Sequence, residues 1–109
     1  MPTTEDIQRI AALIAQRFKP SKIILFGSRA YGNPRADSDV DLLVLLPIPG
    51  SELAMMSKLI LAAYEVAQGT FALDILAKDP EQAAKHYRQG DMLFRDAFDR
   101  GVVLYEAAA

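Results

Sequence analysis

The sequence predicts a small mixed β-sheet flanked by helices, of the α/β (α+β) class. Short, β-prone apolar runs at 22–26, 40–46 and 71–77 alternate with stretches of helical period, giving the order α-β-(turn/α)-β-α-β-α-α-β. The 109 residues are 51% apolar and 24% charged, enough to bury one core and too few for two, so a single domain over 1–109 is expected. Two of the three main strands also carry acids where a buried strand should be apolar. Such breaches of a local rule are where function is expected.

The elements follow in order. Thr3 or Thr4 can cap a first helix whose Ile7, Ile10, Ala11, Ile14 and Phe18 form one apolar stripe, with Glu5 and Asp6 at its positive end and Pro20 as its stop. Lys22 to Phe26 reads as a buried strand ended by Gly27. Ser28 to Tyr31 begins a short helix, and Gly32-Asn33-Pro34 forces a turn. Val40 to Leu46 is apolar on both faces, as a central strand would be, and is closed by Pro47 and Pro49-Gly50. Ser51 caps a second long helix with Leu53, Met56, Ile60, Ala63, Tyr64 and Ala67 on its inner side, leaving Met55 and Leu61 outside. After Gly69, residues 71–77 form a third strand. Asp79-Pro80-Glu81 starts a short helix through Arg88. Asp91 caps another helix that buries Phe94, Ala97 and Phe98 and stops at Gly101, and 102–105 suits a last short strand.

Composition narrows the function classes. Twelve basic residues against fourteen acidic ones give a net charge of -2, which argues against a broad nucleic-acid-binding face. With no cysteine, disulfides and thiolate metal sites are excluded. The polar, acidic N-terminus has no signal-peptide core, and the apolar run from Val40, interrupted by Asp41, is too short for a bilayer, so a soluble cytoplasmic protein is expected.

The chemistry gathers in Phe26-Gly27-Ser28-Arg29-Ala30-Tyr31-Gly32 and Ser38-Asp39-Val40-Asp41-Leu42-Leu43-Val44. A glycine after a strand lets the backbone approach an anion, Ser28 adds a hydroxyl and Arg29 a charge suited to phosphate; the same residues also suit an ordinary strand-to-helix turn. A P-loop is excluded, because Asn33-Pro34 stand where Lys-Ser/Thr must be. Asp37-Ser38-Asp39-Val40-Asp41 opens like an EF-hand loop, but Leu42 and Ile48 replace the required Gly and Glu. Asp39 and Asp41 share one strand face, about 7 Å apart at Cα. Asp41 lies within an apolar run, and an unpaired buried carboxylate is costly, so a bound metal is the simplest compensation. Asp74 repeats the anomaly in a neighbouring strand, either as a third ligand or as an edge acid facing water. A carboxylate set without clustered histidines favours Mg²⁺ or Mn²⁺ over zinc. The single histidine, His86, reads as a surface residue.

Gly27-Ser28, ten intervening residues and Asp39-Val40-Asp41-Leu42 resemble the hG[GS]…Dh[DE]h signature of the DNA polymerase β-like nucleotidyltransferase superfamily. The fuller motif resembles its minimal nucleotidyltransferase (MNT) group, and the likeness runs from the first helix to Glu106. The resemblance implies a polymerase β-like fold and ATP as substrate. In that family Asp39 and Asp41 would hold the metals, with Asp74 as the third acid, ligand or base toward the attacking hydroxyl. Gly27, Ser28 and Arg29 would meet the phosphates. It further implies a HEPN-domain toxin as partner, AMP being transferred to one of its tyrosines and the chain acting as antitoxin, alone or in a homo- or hetero-oligomer. Two other functions are compatible with the same residues: a contact antitoxin with weak or lost catalysis, and transfer to RNA or a small molecule.

Overall fold

The computed structural model describes residues 3–32 and 39–108. The expected turn at Asn33-Pro34, Asp37 and Ser38 of the motif, and the terminal Ala109 lie outside the described residues. The elements are α1 (Thr4–Phe18), β1 (Lys22–Phe26), α2 (Ser28–Tyr31), β2 (Val40–Leu45), α3 (Glu52–Ala67), β3 (Leu73–Lys78), α4 (Pro80–Arg88), α5 (Met92–Arg100) and β4 (Val102–Glu106).

Local chemistry sets most boundaries. Thr3 and Asp6 form a reciprocal capping box, each bond 3.0 Å, which satisfies two of the free amides at the start of α1. Lys19, in the left-handed conformation, returns its N–H to Ala15 and ends the helix before Pro20. The side chains of Ser51, Asp79 and Asp91 cap α3, α4 and α5. Pro80 takes the first position of α4, where its missing N–H costs nothing.

Among the described residues the four strands form one sheet in the order β3-β2-β1-β4. β1 is antiparallel to both β2 and β4, whereas β2 and β3 are parallel and joined through α3. The sheet is therefore mixed, as expected, and the two apolar strands β1 and β2 lie at its centre. Strand alternation divides their side chains between two helix layers. Ile23, Leu25, Val40, Leu42 and Val44 pack with Ile7, Ile10 and Ile14 of α1 and Leu59 and Ala63 of α3. Ile24, Leu43 and Leu45 pack on the other face with Ala83 of α4 and Phe94 and Ala97 of α5. Each fully buried Ile of α1 contributes about 1.5–3 kcal/mol.

Four expectations are corrected. The third strand runs 73–78, not 71–77, and the second ends at Leu45, although Leu46 remains buried. The inner side of α3 is Leu59, Ala62, Ala63 and Ala67; Leu53, Ile60 and Tyr64 are exposed, Leu53 to 72%. Met55 instead packs against the core, while Leu61 is exposed as expected. The physical reason is that α3 is apolar nearly all round, so its periodicity supports two stripes. The stripe with three alanines gives the closer approach to α1 and the sheet. Arg17 and Glu65 clip α1 to α3 across that contact through two charged hydrogen bonds. His86 is half-buried, stacked on Phe94 at 4.7 Å with Nδ1 3.3 Å from Asp91.

Gly101 joins α5 to β4 at very close quarters. A Cβ there would fall 2.3 Å from the Ala97 carbonyl oxygen, 2.6 Å from Ile24 Cγ2 and 2.9 Å from the Leu25 carbonyl oxygen. Its backbone is extended (φ -70°, ψ 167°), so the need for glycine is steric. Gly101→Ala is expected to lose about 2 kcal/mol or more by overpacking. Gly50→Ala, whose methyl would meet nothing within 4 Å, should stay within about 0.5 kcal/mol. Urea unfolding of the two variants checks this; equal midpoints would refute the tight junction.

Candidate active site

The end of the sheet where β1 finishes and β2 and β3 begin holds most of the residues singled out in the sequence. Phe26, the last residue of β1, is the register partner of Asp41, and Asp41 is in turn the partner of Asp74 on the parallel β3. Positions 41, 43 and 45 alternate with 42 and 44, so Asp41 lies on the α5 side of the sheet, and Asp74 lies on the same side. Asp39 sits just before β2 and is exposed; Asp74 is exposed and Asp41 half-buried.

Gly27 is the pivot. Its φ of +76° is one that side chains rarely adopt, and a Cβ on it would lie 2.1 Å from Asp41 Oδ2. The carboxylate therefore rests against the glycine backbone in the room that a side chain would take. In the sequence Gly27 suits the close approach of an anion; in the structure it also makes space for Asp41. The Gly27 carbonyl then accepts from the amides of Ala30 and Tyr31 and turns the chain into α2. Ser28 is exposed at the start of this short helix and Arg29 is half-buried behind it.

The electrostatics match this crowding. Burial, then Asp74, then Asp39 push the Asp41 carboxyl from its ordinary value up to about 6. Among the described residues no three acids or histidines close into a ready-made metal cluster. The donor chemistry nonetheless fits a hard divalent cation. All three groups are carboxylates, they repel one another at Asp41, and Gly27 leaves Oδ2 uncovered by any side chain of its own. Two surface clefts, of about 350 and 480 Å³, lie elsewhere. One is lined by Tyr87, Arg88 and Phe98 and the other by Phe18, Lys19, Met55 and Lys58, and neither includes the acids.

One contact had no signal in the sequence. The Arg100 guanidinium lies over the Tyr31 ring, its Cζ 4.4 Å from the centroid, and ties the end of α5 to α2. The partners are 69 positions apart, and neither breaks a local rule.

A family profile described as "Nucleotidyltransferase domain" matches residues 7–100. A solved structure described as a minimal nucleotidyltransferase superimposes with a TM-score of 0.62 at 23% identity, covering 94% of this chain and 95% of that one. Two crystal structures of variants of the toxin–antitoxin MntA–HpeT each give a TM-score of 0.61, at 19% and 21% identity. They cover 91% and 97% of this chain and 72% and 75% of theirs. The sequence matches no curated protein significantly.

The raised Asp41 makes its own contribution to the pH dependence of the metal-free protein. Its folded-state value, about 6, exceeds its ordinary 3.8, so the folded form holds this proton more tightly than the unfolded form. The contribution of Asp41 to stability is therefore fullest below pH 3.8, falls as pH rises toward 6, and is flat above. Solvent screening of a half-exposed carboxylate reduces the penalty to about 1 kcal/mol, equivalent to about 4–8 °C in a domain of this size. Asp41→Asn should therefore melt above wild type by about that amount at neutral pH with chelator, and the gain should vanish below about pH 4. A variant that melts below wild type at neutral pH would show that the carboxylate is stabilising.

Proposed function

The chain belongs to the nucleotidyltransferase domain family, and on that premise we propose that it transfers AMP from ATP to a hydroxyl of a partner protein. The acceptor in this reading is a tyrosine of a HEPN-domain toxin, and the chain is the antitoxin of the pair. The likeness to MntA–HpeT supports the toxin–antitoxin setting. The observation that carries the chemistry is the seating of Asp41 against Gly27, with Asp74 beside it in register.

The acceptor oxygen attacks the α-phosphorus of ATP, the bond to the bridging oxygen breaks, and pyrophosphate leaves. Asp39, Asp41 and Asp74 would hold Mg²⁺ or Mn²⁺, which supplies charge neutralisation at the phosphates and the departing pyrophosphate. Asp74 is the exposed acid of the two in register, which supports its carboxylate as the group that takes the proton of an incoming hydroxyl. Asp41 is the more buried, fixed between β1 and β3, and suits a ligand that must not move. Ser28 donates its hydroxyl to a phosphate oxygen and Arg29 adds positive charge at the same turn. The strand ends are open to solvent at Asp39 and Asp74, which fits an acceptor presented by another molecule.

Transfer of label from α-labelled ATP with Mg²⁺ to the product of the adjacent gene tests the reading. Wild type should label the partner on a tyrosine, and Asp39→Asn and Asp41→Asn should each lose about 100-fold or more. A stable complex with no label from wild type would make the chain a contact antitoxin instead.

A further inference from the structure

Among the described residues one buried side-chain polar atom has no task in the proposed chemistry. The Tyr31 hydroxyl, on the last residue of α2, is sealed from solvent and meets no hydrogen-bond partner among the described residues. A buried hydroxyl in that state costs stability, and such groups are rare enough to need a cause.

Its surroundings are specific. The ring is held beneath Arg100 at 4.4 Å, and Arg100 ends α5, which Gly101 seats directly on β1. Burial pushes the phenol above its ordinary value; the Gly27 amide opposes this, without reaching hydrogen-bond geometry, and the Asp96 carboxylate adds to it ahead of Asp41. The residue itself is joined to the turn that holds Asp41, its backbone N–H donating to the Gly27 carbonyl, and its ring lies against Arg100 of α5. Asp96 precedes Arg100 by one helical turn, so both project from the same side of α5. Asp96 is half-buried and is not among the proposed metal ligands.

We infer that Tyr31 is a positioning residue for the Gly27–Ser28 turn, and that its hydroxyl donates a hydrogen bond to Asp96 when nucleotide occupies that turn. This rests on the proposed nucleotide site. The Arg100 guanidinium already holds the ring against α5, the helix that carries Asp96. The bond then makes the turn rigid where the phosphates sit. An unpaired hydroxyl is retained at a cost in stability because it is used in the bound state.

The test measures ATP affinity, with Mg²⁺, by calorimetric titration, and the melting temperature of the ligand-free protein. Wild type, Tyr31→Phe, Asp96→Ala and the double variant are compared. Tyr31→Phe should melt at or above wild type yet bind ATP about tenfold more weakly, a combination that loss of a structural contact does not give. Asp96→Ala should lose a similar factor, and the double variant no more than either single one. Wild-type affinity in Tyr31→Phe, or a lower melting temperature, would overturn the inference, and losses that multiply in the double variant would overturn the pairing. Failure of wild type to bind ATP would instead bring down the nucleotide site itself, and the inference with it.

Discussion

Asp41 Oδ2 occupies space that exists only because residue 27 has no side chain. Two constraints meet at that point. The chain must leave β1 with a positive φ, and a carboxylate from β2 must rest against it, half-buried and beside two further acids. Any residue with a Cβ would fail both, on conformation and on overlap. This contact fixes how the end of β1 meets the start of β2, and with it the position of Asp41.

The rest of the architecture secures the register. Antiparallel pairing of β1 with β2 places Phe26 opposite Asp41, and a parallel β3 places Asp74 on its other side. A parallel neighbour needs a crossover, and α3 supplies it while covering the same sheet face as α1. On the opposite face α5 is drawn down by Gly101 to within contact of Ile24 and the Leu25 carbonyl. That closeness brings Arg100 over Tyr31 and joins the second layer to the Gly27 turn. A one-residue slip of β2 would send Asp41 to the other face, into the α1–α3 core, where its desolvation would be prohibitive.

Much of this was legible in the sequence because local chemistry and tertiary demand agree. Thr3 with Asp6, Asp79 with Pro80, and Asp91 announce helix starts by side-chain chemistry that needs no distant partner. The short β-prone run of β1 announces a buried strand, and apolarity on both faces of β2 a central one. In α3 the signal was degenerate, since Leu53, Ile60 and Tyr64 make as good a stripe as Leu59, Ala62 and Ala63. Only the shape of the sheet decides between them, and it favours small side chains. The carboxylates stood out because they violate strand patterning, whereas the steric reasons for Gly27 and Gly101 and the Tyr31–Arg100 contact depend on atoms far off in sequence.

The distribution of polar groups gives this division a physical meaning. Among the described residues no polar or charged residue is fully buried, and the core on both sheet faces is aliphatic apart from Phe94. Local propensity, patterning and packing all agree there, which is the condition for a sequence that folds to one state. The conflicts collect at one end of the sheet: a half-buried Asp41 repelled by its neighbours, a left-handed Gly27, and a sealed Tyr31 hydroxyl with nothing to bind. None of these helps the chain to fold, and a sequence optimised only for stability would replace Asp41 and Tyr31. Their concentration within a few residues of Gly27 locates the site independently of any motif. It also explains why a domain of this size can hold such a site, since the aliphatic core among the described residues carries no polar conflict on either sheet face.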